Sequence, residues 1–289
     1  MEIVMGKREG FFNAPDGTEL FYQTWERDAE YACLVFHGFG EHSGRYARLV
    51  SALSDLPISY YAMDVRGQGR SGGERVYVES FSQFIEDAQC FLDYLTADTE
   101  FKRKKLILFG HSLGGAIALQ WLSQKANPWI GFVATSPCFQ VYGISWTKPA
   151  RGLVRKLNQI YPHAVITNPV KPRFLFKNEQ LMRDYLKDPL IQRKITIHMA
   201  DEIIRACESI QSMSFNLNVP MFFLASGNDR IVSLSATRHV YEKTAAPIKR
   251  LYIYPELYHE ILNEEQNNEV VRDLKQCFQT ILGGGYENN

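Results

Sequence analysis

Lys105-Leu106-Ile107-Leu108-Phe109-Gly110-His111-Ser112-Leu113-Gly114-Gly115 decides the fold of this chain. Leu106 to Phe109 is a short apolar run of the kind that forms a buried parallel strand. Gly110, Ser112 and Gly114 then match G-x-S-x-G, a sharp turn that delivers a strand into a helix. Ala116 to Leu122, rich in alanine and leucine, supplies that helix. Side chains at 110 or 114 would collide with the neighbouring strand and helix, so both positions are expected to need glycine. The turn lifts Ser112 clear of the sheet, and the helix start offers free backbone N–H groups to a developing anion.

Toward the amino terminus, Phe11 to Trp25 reads as a hairpin turning at Pro15-Asp16-Gly17. Cys33 to Phe36 is an apolar strand entering the loop His37-Gly38-Phe39-Gly40. Tyr46, Leu49, Val50 and Leu53 follow at helical spacing, and Ile58 to Val65 is the next strand. The loop after it has the pattern G-x-G-x-x-G at Gly67, Gly69 and Gly72. A dinucleotide fingerprint would open a helix at once and place an acidic residue at a strand end about 20 residues on. Here Val76-Tyr77-Val78 follows, a β-like run, and Asp87 falls inside an amphipathic helix, so the loop reads as turns. Ser80 and Gln83 make a capping-box pattern for that helix, whose apolar face runs from Phe81 to Leu95. Beyond the elbow helix, Trp129 to Thr135 is again a strand. The alternation of strands and helices predicts an α/β fold with a mostly parallel sheet covered on both faces.

After Pro137 the rhythm stops. Prolines 149, 162, 169, 172 and 189 punctuate helical pieces such as Leu153 to Tyr161 and Glu179 to Leu186. Strands resume at Met221 to Ala225 and Arg250 to Tyr254, and a last helix is expected to carry Val270, Val271, Leu274, Cys277, Phe278 and Ile281 on one face. The expected organisation is a core of residues 1–137 and 218–289, with 138–217 inserted as a helical cap ahead of the strand that precedes Asp229.

With 289 residues the chain suits one such large domain with an insertion. A formal net charge of +0 gives no global pull toward nucleic acid. The five cysteines, odd in number and never in a C-x-x-C pair, are expected to be free thiols in a reducing compartment rather than zinc ligands. The amino terminus has no apolar stretch of the secretory kind, and no run approaches the roughly 18 residues of a membrane span. A cytoplasmic location is expected.

A serine nucleophile needs a base within hydrogen-bond reach and an acid to orient it. Asp229 follows the strand Met221 to Ala225, and His259 follows Leu251 to Tyr254. Parallel strands put both loops on the edge that carries Ser112, in the order serine, acid, histidine. The oxyanion donors are expected to be the N–H groups of Leu113 and Phe39. Asp64 follows the wrong strand, His239 falls in a helix, and His163 and His198 lie in the insertion. The His111 side chain should point away from Ser112, and His37 should brace its loop. His259-Glu260 does not continue to H-E-x-x-H, because Asn263 stands at the last position, so neither a metal nor a cofactor is expected.

At these residues the chain resembles the monoglyceride lipase and lysophospholipase group within the α/β-hydrolase superfamily. The resemblance rests on His37-Gly38-Phe39-Gly40-Glu41-His42-Ser43-Gly44-Arg45-Tyr46, Asp64-Val65-Arg66-Gly67-Gln68-Gly69-Arg70-Ser71, the elbow, Ser226-Gly227-Asn228-Asp229 and Tyr258-His259. Leu113 stands where the mammalian members have methionine, and within the insertion the match is confined to Asp188-Pro189-Leu190. It implies Ser112, Asp229 and His259 as a catalytic triad, Phe39 and Leu113 as oxyanion donors, and an acyl-chain tunnel beneath the cap. The implied activity is hydrolysis of monoacyl-lipid esters. Small soluble esters, acyl transfer and aminopeptidase chemistry on the same fold are the alternatives, with a non-catalytic binding protein as the rival of another class. Neutral His259 is required at the outset, so activity is expected to fall in acid near a pKa of about 6–7. Leu153, Val154, Leu157, Ile160 and Tyr161 form an apolar stripe on the cap, read either as a peripheral membrane contact or as a surface packed on the core.

Overall fold

The computed structural model describes residues 5–124, 128–142, 148–264 and 268–283. Its centre is an eight-stranded sheet of β1 (Gly6–Asn13), β2 (Glu19–Glu26), β3 (Tyr31–Phe36), β4 (Ile58–Met63), β5 (Lys105–His111), β6 (Trp129–Thr135), β10 (Met221–Ser226) and β12 (Lys249–Tyr254). The spatial order is β1-β2-β4-β3-β5-β6-β10-β12. The β1–β2 and β2–β4 pairs are antiparallel and every other pair is parallel. The predicted hairpin and parallel strands are therefore present. Alternate residues of the central strands feed opposite faces: Leu106 and Leu108 pack with one core, Ile107 and Phe109 with the other. Burial on both faces explains why these strands read as continuous apolar runs.

Helices α2 (Phe81–Thr96) and α4 (Leu113–Gln124) cover one face, while α1 (Ala47–Ala52) and α9 (Asn268–Leu282) cover the other. Apolar residues all around α4 mark it as a helix enclosed by protein. The short α3 (Thr99–Lys102) leads into β5, and α8 (Leu234–Lys243) joins β10 to β11 (Thr244–Ala245), which precedes β12.

Two local expectations fail. Ser80 does precede α2, but its side chain caps no helical N–H; the Phe81 N–H donates to Glu202 Oε2 at 2.7 Å, and Gln83 reaches the Glu79 N–H instead. A tertiary carboxylate has replaced half of the capping box. Val76-Tyr77-Val78 is not a strand: Val76 sits at φ +53°, and its N–H closes a turn onto the Gly67 carbonyl.

Between the neighbouring parallel strands β6 and β10 the chain leaves the sheet. It passes through α5 (Lys148–Ile160), β7 (Val165–Thr167), α6 (Glu179–Lys187), β8 (Lys194–Thr196), α7 (Ile197–Ser212) and β9 (Phe215–Asn216). The β7–β8 and β9–β11 pairs are small ribbons apart from the main sheet. α7 buries Met199, Ile203, Ala206, Cys207 and Ile210 in the core shared with α2 and α4. α5 rests on α7 through Val154 against Ile197 and Ile204, and Glu208 pairs with both Arg151 and Arg155. The rest of the apolar stripe faces outward: Leu153 is 58% exposed, Ile160 66% and Tyr161 60%. No helix among the described residues is long and apolar enough to cross a membrane.

Candidate active site

The turn after β5 has the geometry that the glycines foreshadow. Ser112 sits at φ +50°, a left-handed conformation that costs about 1–3 kcal/mol and persists only when its surroundings hold it. Its N–H donates to the Thr135 carbonyl at 3.0 Å, and its own carbonyl accepts from Gly115 N at 3.0 Å and Cys138 N at 2.9 Å. A Cβ on Gly110 would lie 2.4 Å from the Gly114 carbonyl oxygen, and one on Gly114 would lie 2.1 Å from that of Phe36. Both contacts are with backbone, so neither can be relieved by a side-chain rotation.

Asp229 and His259 arrive on loops after β10 and β12. His259 Nδ1 is 2.7 Å from Asp229 Oδ2, and both side chains are almost fully enclosed. The other carboxylate oxygen of Asp229 accepts the N–H groups of Ile231 at 2.7 Å and Val232 at 2.9 Å, which fixes its plane. The His259 loop is held from both sides, by Ser136 Oγ donating to the His259 carbonyl at 2.8 Å and by Glu260 N donating to the Leu175 carbonyl at 3.1 Å. Burial works against an imidazolium here, but the charge and hydrogen bond of Asp229 outweigh it and raise the His259 pKa to about 8.

The loop after β3 is braced on both sides of Phe39. Val65 N donates to His37 Nε2 at 2.9 Å, so His37 Nδ1 carries the proton and donates to the Gly38 carbonyl at 2.7 Å. Burial keeps this ring below the ordinary histidine pKa. Gly38 N donates to Glu41 Oε1 at 2.6 Å, and Gly40 N donates to Gln68 Oε1 at 2.5 Å. The Gly40 carbonyl accepts from Gln192 N at 2.7 Å. Between them, the Phe39 N–H has no acceptor among the described residues, and neither does that of Leu113.

Beneath this loop lies a buried charge cluster to which the sequence reading gave no role. Glu41 accepts from Arg45 Nε at 2.6 Å and Tyr46 Oη at 3.1 Å; Arg45 Nη2 also reaches Glu260 Oε2 at 3.0 Å, and Asn263 Nδ2 the same oxygen at 2.6 Å. Burial opposes the charge on Glu41, yet Arg45 brings its pKa down to about 2. Glu41, His111 and Glu260 could by composition ligate a cation. The Arg45 guanidinium already supplies the positive charge to both carboxylates, so the group reads as a closed ion-pair network. His111 bonds Thr135 through Nδ1, at 3.1 Å from the carbonyl, and its ring centroid lies 5.1 Å from that of His259, the two planes tilted by 52°. The signal for the cluster was Glu41 and Arg45, opposite charges four residues apart in a glycine-rich stretch.

Phe39, Ser112, Leu113 and His259 open onto a cavity of about 720 Å³, within the usual size range of ligand sites. Its apolar walls include Val170, Leu175, Met182, Ile195, Ile203 and Ile204, together with Ile231 and Val232 from the loop that carries Asp229. The rival residues lie elsewhere. Asp64 accepts from Ser43 N and Arg70 N, both at 2.7 Å, and ties two loops together. His163 and His198 stack on Tyr77, and His239 is exposed and bonds the Gln211 carbonyl. The Gly67 to Gly73 loop folds on itself, and Asp87 is buried in a pair with Arg66.

Sheet order, the strand–turn–helix at Ser112 and helices on both faces define an α/β-hydrolase fold. The chain belongs to the serine aminopeptidase S33 family (Hydrolase_4), whose profile matches residues 27–266. It is 30% identical over 278 residues to the uncharacterized protein YnbC of Escherichia coli K12, an alignment covering 95% of this chain but 47% of that protein, so the chain spans about half of that relative's length. It is also 30% identical over 264 residues to the monoglyceride lipase of Homo sapiens, covering 90% of this chain and 86% of that one. The solved structure of a soluble variant of the Saccharomyces cerevisiae monoglyceride lipase, in complex with a substrate analog, superposes with a TM-score of 0.84 at 19% identity, covering 97% of each chain.

Proposed function

We propose that this chain is a serine carboxylic-ester hydrolase acting on monoacyl lipids, with Ser112, Asp229 and His259 as its triad. The observation that carries the reading is the 2.7 Å contact of Asp229 with His259, together with a left-handed Ser112 that lines the same apolar cavity as His259. His259 Nε2 accepts the Ser112 proton as Oγ attacks the ester carbonyl, and Asp229 stabilises the imidazolium. The N–H groups of Phe39 and Leu113 receive the oxyanion. Collapse expels the alcohol, which takes the proton from His259, and water repeats the cycle on the acyl-enzyme to release the carboxylic acid. The similarity to the human monoglyceride lipase supports the ester class.

Residues 138–217 act as a cap over a core of 1–137 and 218–289; residues 143–147 of that cap lie outside those described. The outward stripe of Leu153, Leu157, Ile160 and Tyr161 supports a peripheral membrane contact through the cap. The free thiols suit a cytoplasmic location. An aminopeptidase would need an anion for the substrate's free amine, and no aspartate or glutamate lines the cavity among the described residues. The test is kcat/KM across monoacylglycerols, short p-nitrophenyl esters and aminoacyl amides. The reading expects long-chain monoacylglycerols to lead; faster turnover of aminoacyl amides would overturn it.

A further inference from the structure

The glycine-rich turn after β4 carries none of the reacting groups, yet it reaches the loop that carries Phe39. Gly67 at φ +72° and Gly69 at φ +50° bracket Gln68. The turn is closed by Gly67 N donating to the Gly72 carbonyl at 2.9 Å and Ser71 N to the Gln68 carbonyl at 3.0 Å. A Cβ on Gly69 would lie 2.1 Å from Asp64 Oδ2 and 2.8 Å from the His42 Cβ, so glycine is what lets the two loops approach so closely. Gln68 is fully buried as a result, and its Oε1 accepts the Gly40 N–H at 2.5 Å. A peptide N–H can only donate, so the oxygen of the side-chain amide, not its nitrogen, faces Gly40.

Peptide planarity turns that bond into a constraint on Phe39. The plane before Phe39 is pinned at the Gly38 carbonyl by His37 Nδ1 at 2.7 Å, and the plane after it at the Gly40 N–H by Gln68. Both peptides are trans, so in each the N–H points opposite to the carbonyl. The φ and ψ of Phe39 are the two rotations between these planes. With both planes held, the angles are set, and the Phe39 N–H is aimed away from the His37 ring with no acceptor among the described residues. The far side of Gly40 is held as well, by Gln192 N donating to its carbonyl at 2.7 Å.

Gln68 Nε2 is buried and has no partner among the described residues. An unpaired buried donor is a cost that an apolar side chain of the same length would avoid, so packing does not account for a glutamine here; what its oxygen holds does. Resting on the ester-hydrolase reading above, with Phe39 as an oxyanion donor, we infer that Gln68 is a positioning residue for the oxyanion hole. Its side chain lies outside the cavity lining and touches no substrate. It fixes the plane that follows Phe39, so that the Phe39 N–H already stands where charge develops on the ester oxygen. A preorganised donor acts on the transition state more than on the bound ester, so disordering it falls on kcat.

The test measures kcat and KM on 1-decanoyl-glycerol, and inhibition by an alkyl trifluoromethyl ketone, which Ser112 Oγ attacks to give a tetrahedral oxyanion. Q68M keeps the side-chain length and removes the acceptor, Q68N leaves the amide one methylene short of Gly40, and Q68E keeps an oxygen in reach. Q68M should lower kcat by roughly 10- to 100-fold, less than outright removal of a donor, with KM moved by no more than about threefold. Its Ki for the ketone should rise by the factor that kcat loses, which a merely structural role would not produce. Urea unfolding of Q68M should stay close to wild type, because one unpaired buried group is exchanged for another, the Gly40 N–H. Q68N should repeat the loss, which keeps the test open should Q68M not fold, and Q68E should recover most of it. Values of kcat within about threefold of wild type in the first two variants, a loss carried by KM alone, unchanged ketone inhibition, or no recovery in Q68E would overturn the inference. Absence of turnover in the wild type, or turnover retained by Ser112→Ala, would instead strike the ester-hydrolase reading itself.

Discussion

At the level of single residues, the proposal makes Ser112 and Asp229 unequal in cost. Ser112→Ala should lower kcat by roughly 10⁶-fold, and Asp229→Asn by about 10⁴-fold, because the latter leaves the geometry but loses the imidazolium's partner. Steady-state rates on one monoacylglycerol distinguish the two. His259 must be neutral to accept a proton, so kcat/KM should rise with pH through about 8. That is above the 6–7 expected from an unperturbed ring, and a pH–rate profile already level below neutrality would contradict it. The stability linkage runs the other way. A folded pKa raised above the ordinary 6.5 stabilises the protein below that value, and the contribution is lost as pH rises through about 8. The three candidate residues were legible because each stands where an apolar strand run ends, in a fixed chain order. The shifted pKa was not, since it depends on how far burial and Asp229 offset one another in space.

Among the elements, the loop between β3 and α1 is held by bonds that the sequence did not announce. Its glycines announced a close approach, but not that Glu41 would clamp the Gly38 amide or that Arg45 would bridge Glu41 to Glu260. Glu41→Ala leaves the buried Arg45 short of a partner, and should cost about 3–5 kcal/mol in urea unfolding together with a loss of kcat. Gly114→Ala should cost at least 1–3 kcal/mol, because its Cβ would meet the Phe36 carbonyl. Wild-type stability in either variant would remove these accounts. Long strands and helices were readable because periodicity is a local property. The capping box of α2 and the run at Val76 were misread because tertiary partners, Glu202 and the Gly67 carbonyl, decided them. α7 carries an amphipathic pattern of the ordinary kind, but its sequence did not say that it packs into the sheet's own core.

Across the whole molecule, a core fixed by sheet topology carries an insertion whose outer apolar residues are left in solvent. If these meet a bilayer, Leu153→Ser with Leu157→Ser should weaken liposome co-sedimentation by roughly tenfold per leucine removed, as each buried leucine contributes about 1.5 kcal/mol or more. Unchanged binding would assign the stripe to another role. The chain leaves the sheet between β6 and β10, where the strand rhythm of the sequence breaks after Pro137. The β7–β8 ribbon within the insertion was not legible, because two three-residue strands carry no periodic signal of their own. Everything in the account passes through Ser112 as a nucleophile, and a fluorophosphonate probe reads that directly. Peptide mass mapping of the labelled wild type should place the adduct on Ser112, with no labelling of Ser112→Ala and slow labelling of His259→Ala. An unlabelled wild type, or equal labelling of Ser112→Ala, would contradict the account.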